Sequence, residues 1–160
     1  MTAIVEADLA DPRHADAVVR LLDEYAADPM GGGEPLPEYA RNNLVRELCA
    51  RPTVRIVVAF EGDDPAGIAL CIEGFSTFNC RPLMNIHDLA VSARYRGRGI
   101  ARALIAQVER IARAMDCCKI TLEVLEGNAP AQSLYRSCGF AGYQLDPASG
   151  RAMFLQRLLT

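Results

Sequence analysis

The residues best suited to chemistry lie in one short stretch, Arg94-Tyr95-Arg96-Gly97-Arg98-Gly99-Ile100-Ala101-Arg102. A turn with two glycines runs straight into an apolar helical period: Ile100, Leu104, Ile105, Val108, Ile111, Ala112 and Met115. The first turn of a helix leaves N–H groups unpartnered and is the positive end of the helix dipole. Glycines there let an anion approach the main chain closely. A phosphate or pyrophosphate is the natural ligand, and Arg96, Arg98 and Arg102 would add positive charge. A plain strand-to-helix turn with solvated arginines is the alternative. The stretch is not a Walker loop, which needs G-x-x-x-x-G-K-[ST]. Nor is it a dinucleotide fingerprint, since Arg102 stands where a third small residue is wanted.

Acid–base candidates flank this stretch. His87 and Asp88 sit in an apolar run expected to be a strand over 84–92. Strand alternation puts them on opposite faces unless a bulge intervenes: His87 with Asn85, Leu89 and Val91, Asp88 with Ile86 and Ala90. An imidazole titrates near neutrality and suits proton removal; a rim histidine with a satisfied hydrogen bond is the alternative. Asp88 could instead orient an amine or brace the strand. Glu24, Glu34 and Glu123 are further carboxylates for substrate contact, although solvated carboxylates are the commoner case. Arg81 could hold a substrate carboxylate bidentately. Phe75 and Phe78 could wall an aliphatic acceptor.

These groups need elements to position them. Strands are expected at 2–7, 54–61, 66–78, 84–92, 119–125, 141–145 and 152–158, with turns at 62–65 and 146–150. Arg81-Pro82 reads as an interruption between two of them. Helices are expected at 12–27, 37–50, 100–115 and 128–137. Asp11-Pro12 starts the first as an N-cap followed by Pro, and Asn128 and Gly139 punctuate the last. Residues 28–35, with Gly31, Gly32 and Gly33 between two prolines, form a helix-to-helix connector or a flap beside a substrate. The result is one α+β domain over residues 1–160.

Composition sets the bounds. At 160 residues, 51% hydrophobic and 23% charged, the chain suits a single soluble domain. A net charge of -3 argues against a general nucleic-acid binder, which needs a basic surface. The apolar runs are strand-sized, so no membrane span is expected, and no secretory signal is visible. Cysteines 49, 71, 80, 117, 118 and 138 form no C-x-x-C pair. They read as buried reduced thiols, with a cytoplasmic location as the default. The adjacent Cys117-Cys118 could be a redox or metal feature, but neighbours in sequence do not easily face one ion, and no metal is expected.

The pattern resembles the GNAT superfamily of N-acetyltransferases. Its motif R/Q-x-x-G-x-G/A matches Arg96-Gly97-Arg98-Gly99-Ile100-Ala101, and an overlapping match begins at Arg94. Its later motif N-x-x-A-x-x-L-Y-x-x-x-G-F matches from Asn128 through Leu134-Tyr135 to Gly139-Phe140. The resemblance covers nearly the whole chain. It implies a mixed, mostly antiparallel sheet splayed between its fourth and fifth strands, with flanking helices. Acetyl-CoA, the cosubstrate, would lie in the splay. Its pyrophosphate would meet the amides of Gly97, Gly99, Ile100, Ala101 and Arg102, and its pantetheine arm would pair with Leu89, Ala90 and Val91. Asn128 would contact the pantetheine region, and Tyr135 would protonate the departing thiolate. Packed or capping roles are the alternatives for these two residues.

A narrower similarity, to the diamine and thialysine acetyltransferases, rests on Phe75-Ser76-Thr77-Phe78, Arg81-Pro82-Leu83 and Ile86-His87-Asp88-Leu89. That branch usually has Glu-Asp where this chain has His87-Asp88. The expected reaction is acetyl transfer to a primary amine of a small molecule by direct attack. The acceptor could instead be a protein N-terminus or lysine. A non-catalytic acyl-CoA-binding module is the third reading; Tyr135 and Asn128 argue against it. The resemblance leaves a homodimer open.

Overall fold

A computed structural model of the chain describes residues 1–159. The chain divides into two compact units, Met1–Leu125 and Glu126–Thr160. In the first, the order is β1 (Thr2–Glu6), α1 (Pro12–Ala27), α2 (Glu38–Cys49), β2 (Val54–Glu61), β3 (Asp64–Ser76) and β4 (Arg81–Val91). A 3₁₀ turn (Ala93–Tyr95), α3 (Ile100–Ala114) and β5 (Ile120–Leu122) follow. The second unit holds α4 (Ala129–Ser137) and a 3₁₀ turn at Pro147–Ser149. The sheet runs β1-β2-β3-β4-β5; every neighbouring pair is antiparallel except β4-β5, which is parallel.

Both faces of the sheet are covered, which is why β2 and β3 read as nearly continuous apolar runs. Helix α1 starts where Asp11 accepts from the Arg13 amide at 2.8 Å, with Pro12 opening the helix. It buries Ala17, Val18, Leu21 and Leu22 against Ile56, Val58, Phe60, Ile68 and Leu70. Helix α3 covers the other face with Ile100, Leu104, Ile105, Val108 and Ala112. Gly67 lets it approach: a Cβ there would lie 3.0 Å from the Ala90 carbonyl oxygen and 3.1 Å from Ile100 Cγ2.

Several expectations change. Asp64 opens β3 instead of standing in the turn, and Arg81-Pro82 belongs to β4, paired with Ser76 and Phe75. Proline is tolerated in the first residues of a strand, so it does not interrupt this one. Strand β5 shrinks from 119–125 to three residues. The expected strands at 141–145 and 152–158 do not form; Tyr143, Leu145, Met153, Phe154, Leu155 and Leu158 are exposed. A strand exists through its ladder, and apolar alternation supplies no partner. Among the described residues no cysteine forms a disulfide, but only Cys71 is buried. Cys49 ends α2 and Cys80 sits in the β3–β4 turn, so apolar neighbours in sequence did not place either thiol inside.

The feature that matters most is a bulge. Leu70 faces Asp88 and Cys71 faces Ile86, so His87 is an extra residue on β4. One extra residue exchanges the faces of everything beyond it. Asp88 and Ala90 therefore share a face with Asn85, toward α1, and Leu89 and Val91 share one with Met84 and Ile86, toward α3. This corrects the grouping that regular alternation gives.

Candidate active site

The turn after β4 has the geometry its glycines imply. Gly97 (φ 77°) and Gly99 (φ 80°) are both left-handed, and a Cβ on either would meet nothing within 4 Å. Gly99 caps α3 without any side-chain hydrogen bond. The helix ladder begins with Ala103 N–H donating to the Gly99 carbonyl. Among the described residues, nothing accepts from the amides of Gly99, Ile100 or Ala101. These are donors aimed past a bare backbone, the arrangement an anion wants.

The arginines divide their work differently from the simple expectation. Arg96 donates from Nη2 to Asp28 Oδ2 at 2.8 Å and from Nε to the Val91 carbonyl at 3.1 Å, so its charge is committed within the protein. Arg94 lies 3.4 Å from Asp64. Arg98 stacks 5.3 Å from the ring centre of Tyr95, whose hydroxyl donates to Asp64 at 3.0 Å. Arg98 pairs with no carboxylate among the described residues and is the loop guanidinium left to face a ligand. Arg102 is exposed in the first turn of α3.

At the bulge, His87 is exposed and Asp88 is half-buried. Burial pushes the Asp88 carboxyl above the usual carboxylate range, against the opposing pull of His87. Asp88 makes no hydrogen bond or ion pair among the described residues, and its oxygens reach solvent. Its charge acts on two neighbours. Tyr25 of α1 is raised by burial and then by Asp88 and Asp28; the Cys71 thiol is raised to about 12 by burial and then by Asp88.

The parallel ladder between β4 and β5 covers only Met84, Asn85 and Ile86, and the strands part beyond it. This is the expected splay. Ser92 N–H donates to the Ala66 carbonyl, so alternation turns the main chain of Ala90 toward β3 and that of Leu89 and Val91 toward the opening. Of the three residues expected to pair with a ligand arm, Leu89 and Val91 have free-edge geometry; Ala90 has its main chain in the β3 ladder. The Val91 carbonyl is already taken by Arg96.

Other candidates fall elsewhere. Glu24 accepts from the Ala93 amide at 2.9 Å and braces the turn after β4. Glu34 and Glu123 are exposed. Phe75 and Phe78 are 60% and 94% exposed at the end of the β3–β4 hairpin, where Arg81 is paired with Asp116. His87 is six strand residues from Arg81, roughly 20 Å away. The fold therefore does not bring Phe75, Phe78 or Arg81 beside the bulge. In the second unit, Asn128 caps α4 by accepting from Ala131 N–H at 3.2 Å. The half-buried Tyr135 ring stands edge-on to Phe140 at 5.9 Å. Gly139 takes the left-handed conformation expected of a helix stop (φ 88°). Tyr25 and Asp28 were missed as site residues: Tyr25 is masked by the apolar stripe of α1, and Asp28 reads as an ordinary helix end.

Among the described residues, no helix is long and apolar enough to cross a membrane, and no cluster of three or more His, Cys, Asp or Glu side chains could hold a metal ion. Burial, and then Glu73, pushes the Cys117 thiol up, which disfavours the thiolate that a redox or metal role needs.

Residues 18–140 match the family model described as "Acetyltransferase (GNAT) family". Glucosamine 6-phosphate N-acetyltransferase of Trypanosoma brucei brucei is 29% identical over 151 residues, 90% of this chain and 95% of that protein. Thialysine N-epsilon-acetyltransferase of Bos taurus is 32% identical over 118 residues, 74% of this chain and 64% of that one. N-alpha-acetyltransferase RimI of Mycobacterium tuberculosis is 35% identical over 119 residues, 73% and 68%. A solved structure of a probable acetyltransferase superposes with a TM-score of 0.82 at 23% identity, covering 99% of each chain.

Proposed function

The chain belongs to the GNAT acetyltransferase family, and from that premise we propose that it transfers the acetyl group of acetyl-CoA to a primary amine of a small molecule. Residues 1–160 would act as one N-acetyltransferase domain. The observation that carries the reading is the bulge at His87: it ends the β4–β5 pairing and turns the Leu89 amide into an open edge two residues past His87.

The residues fit acetyl-CoA. Left-handed glycines, and the amides of Gly99, Ile100 and Ala101 that have no acceptor among the described residues, suit its pyrophosphate, with Gly97, Gly99, Ile100, Ala101 and Arg102 as the contacts and Arg98, which pairs with no carboxylate among the described residues, as a cation beside them. The open edge at Leu89 and Val91 suits its amide-bearing arm, and Asn128 adds a polar contact. Acetyl-CoA supplies the thioester that the amine attacks.

The protein's own part is proton handling and charge placement. Asp88 holds the incoming ammonium, and His87 takes its proton, directly or through water. The Leu89 amide faces the charge that builds on the acetyl oxygen; removing such a donor from other enzymes costs about 3 kcal/mol. Tyr135 returns a proton to the leaving sulfur. No cysteine is needed as a nucleophile. A small-molecule acceptor is supported by the glucosamine 6-phosphate and thialysine relatives. A protein N-terminus is the second reading, favoured by the likeness to RimI. Cysteines without a disulfide among the described residues suit a reducing compartment, and we place the protein in the cytoplasm. Acetyl-CoA turnover across diamines, amino acids, amino sugars and peptides tests this. Robust turnover of peptides alone would promote the second reading; no turnover of any would sink both.

A further inference from the structure

Two loops that sequence places far apart meet at one residue, Asp28. Asp28 ends α1, and its main-chain carbonyl accepts from the amides of Gly31 (2.8 Å), Gly32 (3.1 Å) and Gly33 (3.0 Å). Its Oδ1 accepts from the Met30 amide at 2.9 Å. The glycine loop is thereby wrapped around this single residue. It also lies directly on the last turn of α1, because a Cβ on Gly31 would come within 1.9 Å of the Tyr25 carbonyl oxygen. The remaining oxygen, Oδ2, takes the Arg96 guanidinium at 2.8 Å, and the same guanidinium holds the Val91 carbonyl. The pair is well made: Asp28 is 21% exposed, and Arg96, with the Met30 amide, holds its carboxyl below the usual range. Arg96 is the first residue of the glycine turn that opens α3, and Val91 is the last residue of the open edge.

We propose that Asp28 is a positioning residue that couples the two loops through Arg96, so that a ligand held by the amides of residues 97–101 orders the glycine loop at 31–33. By reciprocity, whatever contacts the glycine loop tightens the hold on the first ligand. Arg96 thus serves as a tie between loops and not as a phosphate contact. The inference rests on the cosubstrate site proposed above.

The test uses the full chain, coenzyme A as the probe, calorimetric titration and amide hydrogen exchange of the 28–36 segment. In the wild type, saturating coenzyme A should slow exchange of the Gly31–Gly33 amides about 5-fold, the lower end of ordinary coupling. Asp28→Asn keeps an acceptor for the Met30 amide and removes the ion pair. In that variant the slowing should vanish, and coenzyme A affinity should fall by about the same factor. Arg96→Gln should reproduce both effects, and Arg96→Lys, which keeps the charge on Asp28, should restore part of them. Slowing that persists in Asp28→Asn and Arg96→Gln would mean that the ligand touches the glycine loop directly, and would overturn the coupling. Binding in the wild type with no slowing would overturn it too. No coenzyme A binding at all would instead defeat the proposed function. Arg96→Gln leaves the α1 end intact, so the test stands if Asp28→Asn fails to fold.

Discussion

Asp88→Asn should make the protein more stable and less active at neutral pH. Burial raises the Asp88 carboxyl against the weaker opposing pull of His87, and no hydrogen bond among the described residues offsets the cost. A group whose pKa is raised on folding contributes stability below the usual carboxylate range and loses it as pH rises through the folded value. Once ionised, the carboxylate is therefore a burden on the fold. Leaving a buried polar group unpaired costs about 1–3 kcal/mol. Asp88 still reaches solvent, so the lower end, about 1 kcal/mol, applies. For a chain of this size that is about 3 °C in Tm. His87, Tyr25 and Cys71 are the titratable groups that feel this carboxylate, and His87 opposes the shift. Calorimetric melting of wild type and variant at pH 7.5 and pH 4.5 should show a gain of that order at the higher pH and a smaller one at the lower. Turnover of the best acceptor should fall at the same time. A lower Tm at pH 7.5 would show that Asp88 is a paired, stabilising carboxylate and would remove it from the acceptor site. A gain in Tm with unchanged turnover would assign it no part in catalysis.

Three further outcomes follow from named residues. Gly99→Ala forces a side chain into a left-handed conformation at about 1–2 kcal/mol, too little to unfold the chain. Coenzyme A affinity in calorimetry should drop about 10- to 100-fold through loss of one charge-assisted contact, and a folded variant with unchanged affinity would reject the phosphate loop. Tyr135→Phe keeps the ring against Phe140 and should lower kcat about 100-fold with little change in coenzyme A affinity; an unchanged kcat would leave Tyr135 a packing residue. His87→Ala should abolish an acidic limb of kcat/KM that stays fixed when acceptors of different amine pKa are compared; a limb that follows the acceptor and survives the substitution would make His87 structural.

Much of the fold was legible because local rules and burial agree. The Asp11-Pro12 start gives α1 its first residue, and the 3.6 period from Ile100 to Ala112 marks the face of α3 that is buried. β2 matches its expected span, 54–61. The left-handed glycines at 97 and 99 follow from a turn that must enter a helix at once. What failed is what depends on partners. The segments at 141–145 and 152–158 have strand composition, but a ladder is a property of two segments. Arg96 reads as one more cation beside the turn; its commitment to Asp28 needs α1 and β4 to meet, 68 residues apart in sequence.

The bulge is the deepest instance of this. Nothing in Ile86-His87-Asp88-Leu89 announces an extra residue, because the composition is that of an ordinary strand. Regular alternation would have sent Asp88 to the face of Ile86, under α3, where buried aliphatic side chains would have left a carboxylate with no solvent. The bulge instead turns Asp88 toward α1 and Tyr25, where its oxygens reach water, and exposes His87 on the strand itself. It also ends the pairing with β5, since a kinked, over-twisted strand no longer follows a straight parallel neighbour. One inserted residue thus opens the sheet, presents the Leu89 amide to the opening and sets two proton-carrying side chains beside it. The cost is a half-buried carboxylate with no hydrogen bond among the described residues, which a stable fold does not need and which substitution at Asp88 is expected to reveal.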